Sequence, residues 1–299
     1  MNVHSARGGG ASAPAPHAVP ATTADGVHLA ITRVPATARR RAVLLCTHAM
    51  MTSGRYFGAG RSDGFAATLA AAGIDVLVLD WRGHGGSRPP HPGHERWTFD
   101  DYVQLDLPAA LAAGSPSEVA VLGHSLGGLA ALAALGTGVV RVRRLALAAT
   151  SLWLPGPRGP WQRRALMGLY GATARALGRA PIRALGLGTD DEGAGYVEQL
   201  TGWARTGRWT SRTGVDYLAA LARIDAPVWG FVGAGDRLCR PADARALLGR
   251  VRGAPPLRVV GRAAGDALDA DHFQLFTDAR LAPLWAEVAA FVTGDAAPR

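Results

Sequence analysis

Apolar and polar positions follow two rhythms along this chain. Short, mostly apolar runs at residues 42–47 (AVLLCT), 76–79, 118–122, 145–149, 228–232 and 257–260 predict strands buried on both faces of a sheet. Between them, residues 64–72, 100–113, 126–136, 215–222, 242–250 and 281–292 space their apolar side chains as helices with one packed face do. Residues 27–34 alternate apolar with polar, which predicts an edge strand. Strand and helix take turns through residue 150 and again from 214. That order predicts an α/β fold: a doubly wound, mostly parallel sheet with crossover helices.

From 151 to 213 the strand rhythm stops. Trp161, Ala165, Leu166, Leu169, Tyr170, Thr173, Ala176 and Leu177 recur at helical spacing. The stretch predicts a helical cap inserted into one core domain made of residues 21–150 and 214–299. Residues 1–20 are rich in Gly, Ala and Pro and predict a disordered tail. They lack the apolar centre of a secretory signal, and no apolar run spans a bilayer, so the expectation is a cytoplasmic protein with no integral membrane segment.

Composition removes chemistry. All 32 basic side chains are arginine, so there is no Walker A lysine, no Schiff-base lysine and no Ser-Lys dyad. The formal charge of +9 raises the question of a nucleic-acid partner. The arginines are scattered, however, and the run Arg39-Arg40-Arg41 leads into a buried strand, so no nucleic acid is expected. Cys46 and Cys239 make neither a disulfide framework nor a zinc cluster. His84, His91 and His94 lie within eleven residues, but in an RGHGGS turn and a Pro-rich loop without ligand spacing. Neither metal nor cofactor is expected.

One serine has special surroundings. In AVLGHSLGGLAAL, Ser125 stands between a buried strand and a helix, flanked by Gly123 and Gly127 in the pattern G-x-S-x-G. Glycine flanks permit the tight turn that lifts a nucleophilic hydroxyl above the sheet. Such a serine needs a base, held in one tautomer by a carboxylate. Only His272 follows Ser125 among the nine histidines, in the loop DADHFQLFTD before the last helix. Candidate acids downstream include Asp190, Asp191, Asp216, Asp225, Asp236, Asp243, Asp266, Asp269 and Asp271. Asp236 is favoured because it ends a strand and glycine turn, VWGFVGAGD, at the sheet edge that carries Ser125. The alternative role for it is an Asx turn or a cap for the helix that follows. For a tetrahedral oxyanion, backbone donors are expected from Leu126 and from the loop THAMMTSG, at Met50 or its neighbour Met51. His124 reads as support beneath the elbow.

GHSLGG, DWRGHGGS, the loop beginning at His48, GAGD and DHF together resemble the α/β-hydrolase superfamily. WTFDDYVQLDLPAAL is similar to the helix before the elbow in lipase-like and serine-aminopeptidase-like members. From Val27 to Val292, with LWLPGP and WARTGRW, the chain resembles a poorly characterised bacterial group of α/β hydrolases. The resemblance implies the α/β-hydrolase fold and a serine esterase working through an acyl-enzyme on a small, ester-like, apolar substrate. An acyltransferase with the same residues and a non-catalytic ligand-binding relative are the alternatives. Many relatives carry His-Gly where this chain has His48-Ala49, which bears on the conformation of the oxyanion loop. Met51, Trp153, Trp161, Tyr170 and Trp203 are expected either to line a substrate channel or to pack the cap. Arg163 and Arg164 read as a solvated helix face or as contacts for an acidic substrate.

Overall fold

The computed structural model describes residues 15–87, 96–114, 119–154, 156 and 160–295. Its strands in chain order are β1 (His17–Thr22), β2 (His28–Val34), β3 (Ala42–Thr47), β4 (Ile74–Leu79), β5 (Val119–His124), β6 (Leu145–Ala148), β7 (Arg179–Ala180), β8 (Glu192–Gly193), β9 (Val228–Gly233) and β10 (Leu257–Val260). The short β7 and β8 pair with each other; the other eight form one sheet in the order β1-β2-β4-β3-β5-β6-β9-β10. The pairs β1–β2 and β2–β4 are antiparallel and every later pair is parallel. β3, β4, β5, β6 and β9 are buried along their whole length, as unbroken apolar runs require when helices cover both faces.

The helices are α1 (Phe65–Ala71), α2 (Phe99–Asp101), α3 (Leu107–Ala112), α4 (Leu126–Gly136), α5 (Trp161–Leu177), α6 (Ala194–Thr206), α7 (Tyr217–Ala220), α8 (Pro241–Leu248), α9 (Gln274–Thr277) and α10 (Ala282–Thr293). A π turn, Tyr102–Asp106, joins α2 to α3. One apolar layer sets Leu45, Leu77, Val119 and Val121 against α3 and α4; the other sets Leu44, Val76, Val78 and Leu122 against α1 and α10. Between β6 and α7 lies the insert, where α5 rests on α6 and β7, and α6 in turn reaches α2. Among the described residues no helix is long and apolar enough to cross a membrane.

Three expectations need correction. The tail ends earlier than expected, since HAVPAT is β1 rather than disordered chain. It carries no legible pattern because an edge strand with mostly exposed side chains has little to bury. Pro20 is admissible there because β1 has a neighbour on one side only. Residues 28–34 are then an inner strand, with β1 on one side and β4 on the other. The alternation reported which face of β2 is covered, not where it stands in the sheet. Finally, β7 and β8 lie inside the stretch read as free of strands; two-residue pairings are below any periodicity.

Candidate active site

The elbow is built from β5 and α4. Ser125 joins them with φ 53° and ψ −112°, a backbone conformation that costs a non-glycine residue energy and that surrounding structure must hold. Its N–H donates to Ala148 O on β6, at 3.0 Å. A Cβ on Gly123 would meet Gly128 Cα at 2.5 Å, and one on Gly127 would meet Thr47 O at 2.5 Å. Both glycines are therefore needed for close approach, of helix to strand and of helix to the end of β3. Ser125 remains partly exposed while all its neighbours from Val119 to Gly128 are buried.

Asp236 follows β9 and His272 follows β10, so both emerge at the carboxyl edge that also carries Ser125. His272 Nδ1 donates to Asp236 Oδ2 at 2.7 Å, and both side chains are buried. The other oxygen, Oδ1, accepts Leu238 N–H and Cys239 N–H, each at 2.8 Å. The turn role and the histidine-orienting role thus coexist on one carboxylate. Among the other acids, Asp216 caps α7, Asp271 caps the turn at Phe273 and Gln274, Asp269 takes Arg262 N–H, and Asp266 takes Gly261 N–H and Arg258. Asp190 and Asp191 accept Gly85 N–H and Arg183 N–H, and Asp225 pairs with Arg252.

His124 locks the elbow to the histidine loop. Its ring centroid lies 4.5 Å from that of His272, and Tyr56 Oη donates to its Nδ1 at 2.7 Å. Tyr56 Oη in turn accepts Ala49 N–H at 3.0 Å, so one hydroxyl ties the loop after β3 to the elbow. Phe273 and Phe276 close the floor at 5.5 and 5.1 Å from the His124 ring. Burial, then the neighbouring His272 and His48, holds the His124 imidazole well below its ordinary value, hence neutral. His48 is likewise held down by burial and by His84. It accepts Trp81 N–H on Nε2, at 3.0 Å, and its Nδ1 donates to Ala49 O at 2.7 Å.

The His48-Ala49 departure is resolved by where the loop turns. Positive φ among non-glycine residues near the loop falls at Met51, 62°, and not at Ala49, so alanine is accommodated. Met51 N–H donates to Glu192 Oε1 at 2.5 Å, and Met51 O accepts Thr189 N–H at 2.9 Å. This N–H is therefore engaged, whereas Met50 N–H has no hydrogen-bond partner among the described residues. Glu192, fully buried, also lies 3.3 Å from His84 Nε2. Burial works against a charge on His84, but Glu192, together with the Arg82 carbonyl and Asp190, outweighs it and raises the imidazole above its ordinary value. Neither Glu192 nor Tyr56 could be picked out from the sequence. Each acts through a contact more than 60 residues away or between insert and loop, and neither sits in a repeating motif.

The cap residues separate. Tyr170 is half-buried and packs with Met51 around Ala174, Ile182 and Val197. Trp203 is packing: it donates to Thr210 O at 2.7 Å and lies edge-on to Phe99 at 5.0 Å. Trp153 is exposed, and Trp161, 72 % exposed, stands on the outer face of the cap rather than in a channel. Its helical spacing was legible, but spacing does not say which way a stripe faces. Met50, half-buried, accepts Tyr196 Oη on its sulfur at 4.0 Å. His91 and His94 lie outside the described residues.

A sheet of this order, with its serine elbow after β5 and its Asp–His pair after β9 and β10, is the α/β-hydrolase fold. The chain belongs to the family described as serine aminopeptidase, S33 (Hydrolase_4), which it matches over residues 37–256, and is a hydrolase of the α/β-hydrolase superfamily. Similar solved structures include an esterase from Exiguobacterium antarcticum, at 16 % identity over 92 % of this chain and 99 % of that one, with a TM-score of 0.62. A monoacylglycerol lipase from Paleococcus ferrophilus gives 16 % identity over 90 % and 99 %, with a TM-score of 0.62. A hydrolase from Pseudomonas aeruginosa gives 24 % identity over 94 % and 99 %, with a TM-score of 0.57. At these identities the likeness is one of fold. No curated protein sequence matches the chain.

Proposed function

We propose that the protein is a serine hydrolase that cleaves an ester-like bond of a small, largely apolar substrate through an acyl-enzyme. Ser125 attacks the carbonyl while His272 takes its proton on Nε2 and later returns it to the leaving group. Asp236 keeps His272 in the tautomer with the proton on Nδ1 and stabilises the imidazolium that forms. The N–H groups of Leu126 and Met50 hold the oxyanion. Water then repeats the sequence on the acyl-enzyme. The observation that carries this reading is the buried 2.7 Å bond from His272 Nδ1 to Asp236, at a histidine whose ring packs at a tilt against His124 of the elbow.

Covalent labelling with a fluorophosphonate tests it, read by intact mass and by the modified peptide. Wild type should be labelled at Ser125, with loss of labelling in Ser125→Ala and strong slowing in His272→Ala. A folded wild type that hydrolyses esters yet carries the label elsewhere, or a Ser125→Ala variant that keeps turnover, overturns the assignment.

A further inference from the structure

The apolar stripe of α5 faces outward. At about 100° per residue, Trp161, Ala165, Leu166, Leu169, Ala172, Ala176 and Leu177 fall within an arc of about 160°, interrupted by Gln162 and Thr173. All seven are exposed, with Trp161 at 72 %, Leu166 at 59 %, Leu169 at 66 % and Leu177 at 59 %. The opposite side, through Met167, Tyr170, Gly171 and Ala174, is the one that packs. Leu185 and Leu187, in the turn after β7, are exposed as well. An apolar face left exposed among the described residues is a candidate docking surface.

Charge says what. From Ser151 to Thr189 there are six arginines and no acidic residue. Arg175 pairs with Glu198 and Arg179 with Asp191, both acids beyond the stretch, so the stretch itself is basic. Arg164 and Arg175 border the apolar arc, and with Arg205 of α6 they line a groove of about 630 Å³ between the two helices. Glu198 is the acid in that groove, 3.7 Å from Arg175. A second copy docking through α5 would set these arginines against their own equivalents. An anionic surface with an apolar interior satisfies both halves of the pattern. We infer that the outer face of α5 docks on an anionic phospholipid surface, with the leucines and Trp161 in the acyl boundary and Arg164, Arg175 and Arg205 at lipid phosphates.

Docking does not depend on the serine chemistry, so Ser125→Ala should bind as wild type does. Full-length protein is floated with vesicles of phosphatidylcholine alone and with vesicles one-third phosphatidylglycerol, at low and physiological salt. The expected result is roughly tenfold stronger partitioning to the anionic vesicles, weakened by salt. Leu166→Ser/Leu169→Ser should lower binding to them roughly tenfold. Arg164→Gln/Arg175→Gln/Arg205→Gln should remove the preference for anionic lipid and its salt dependence. Both variants should keep the wild-type circular dichroism and hydrolysis of a soluble short-chain ester. Folded wild type that stays off anionic vesicles, or binding that neither variant changes, overturns the inference. So does a concentration-dependent dimer in sedimentation that Leu166→Ser/Leu169→Ser dissolves, which would give the face to a second copy.

Discussion

At the scale of single residues, Asp236 does two jobs with two oxygens, and a substitution can separate them. Oδ1 holds the turn through Leu238 and Cys239, while Oδ2 faces His272. Asp236→Asn retains an acceptor for the turn but removes the charge that fixes the imidazole tautomer. Ester turnover should fall on the order of 10³- to 10⁴-fold with little change in melting temperature. Steady-state kinetics beside a thermal scan checks this, and an Asn variant that keeps turnover within tenfold contradicts it. The elbow position of Ser125 and the placement of Asp236 and His272 at the same sheet edge could be read from the sequence, because order along the chain and position after a strand narrow the choice to few residues. His124 was legible only as support. Its tilted packing on His272 and its bond from Tyr56 come from three separate parts of the chain meeting, which no local pattern encodes.

At the scale of elements, the insert is fastened to the loop after β3, and Glu192 is the fastener. It accepts Met51 N–H, and Met51 O accepts from Thr189, so the strained turn at Met51 is held from the cap side. Glu192→Ala breaks that bond and leaves the buried His84 without its carboxylate. The cost should be about 3 kcal/mol of stability, with a lowered kcat because the neighbouring Met50 N–H loses its fixed direction. Glu192→Gln restores an acceptor for Met51 and should recover most of kcat while remaining less stable than wild type. Equal kcat in all three proteins would show that the fastener serves the fold alone. The strands and major helices of this element set could be read from periodicity within a few residues. β1 could not, because exposed edge residues leave no apolar signature. The direction of α5 could not either, because an amphipathic stripe is the same string of letters whether it faces a core or a membrane.

At the scale of the whole molecule, buried histidines set how stability depends on pH. His48 and His124 have folded pKa values below the ordinary 6.5, burial being the main cause, so below that pH the unfolded chain takes up protons that the native state refuses. Stability should fall as pH drops under about 6.5, by up to about 1.4 kcal/mol per pH unit for each histidine. His84 has the opposite sign. Its folded value is raised beside Glu192, so its contribution is complete below 6.5 and is lost as pH rises through the folded value. Urea unfolding across pH 4 to 8 should show the acid slope, reduced by about one proton in His124→Phe. An unchanged slope in that variant would place the acid response elsewhere.

The sequence alone determined the alternation of strand and helix, the inserted segment, the serine elbow and the order of Asp236 and His272 after it. These depend on short-range spacing and on which residue types a turn or a buried strand tolerates. Tertiary structure alone decided that Met51 N–H is taken up by Glu192, how Glu192 and Tyr56 hold the loop, and which way the apolar face of α5 points. Each of those depends on what a side chain meets from a distant part of the chain. Burial, and with it the strength of a hydrogen bond or the charge of a histidine, is a property of that meeting and not of the local string.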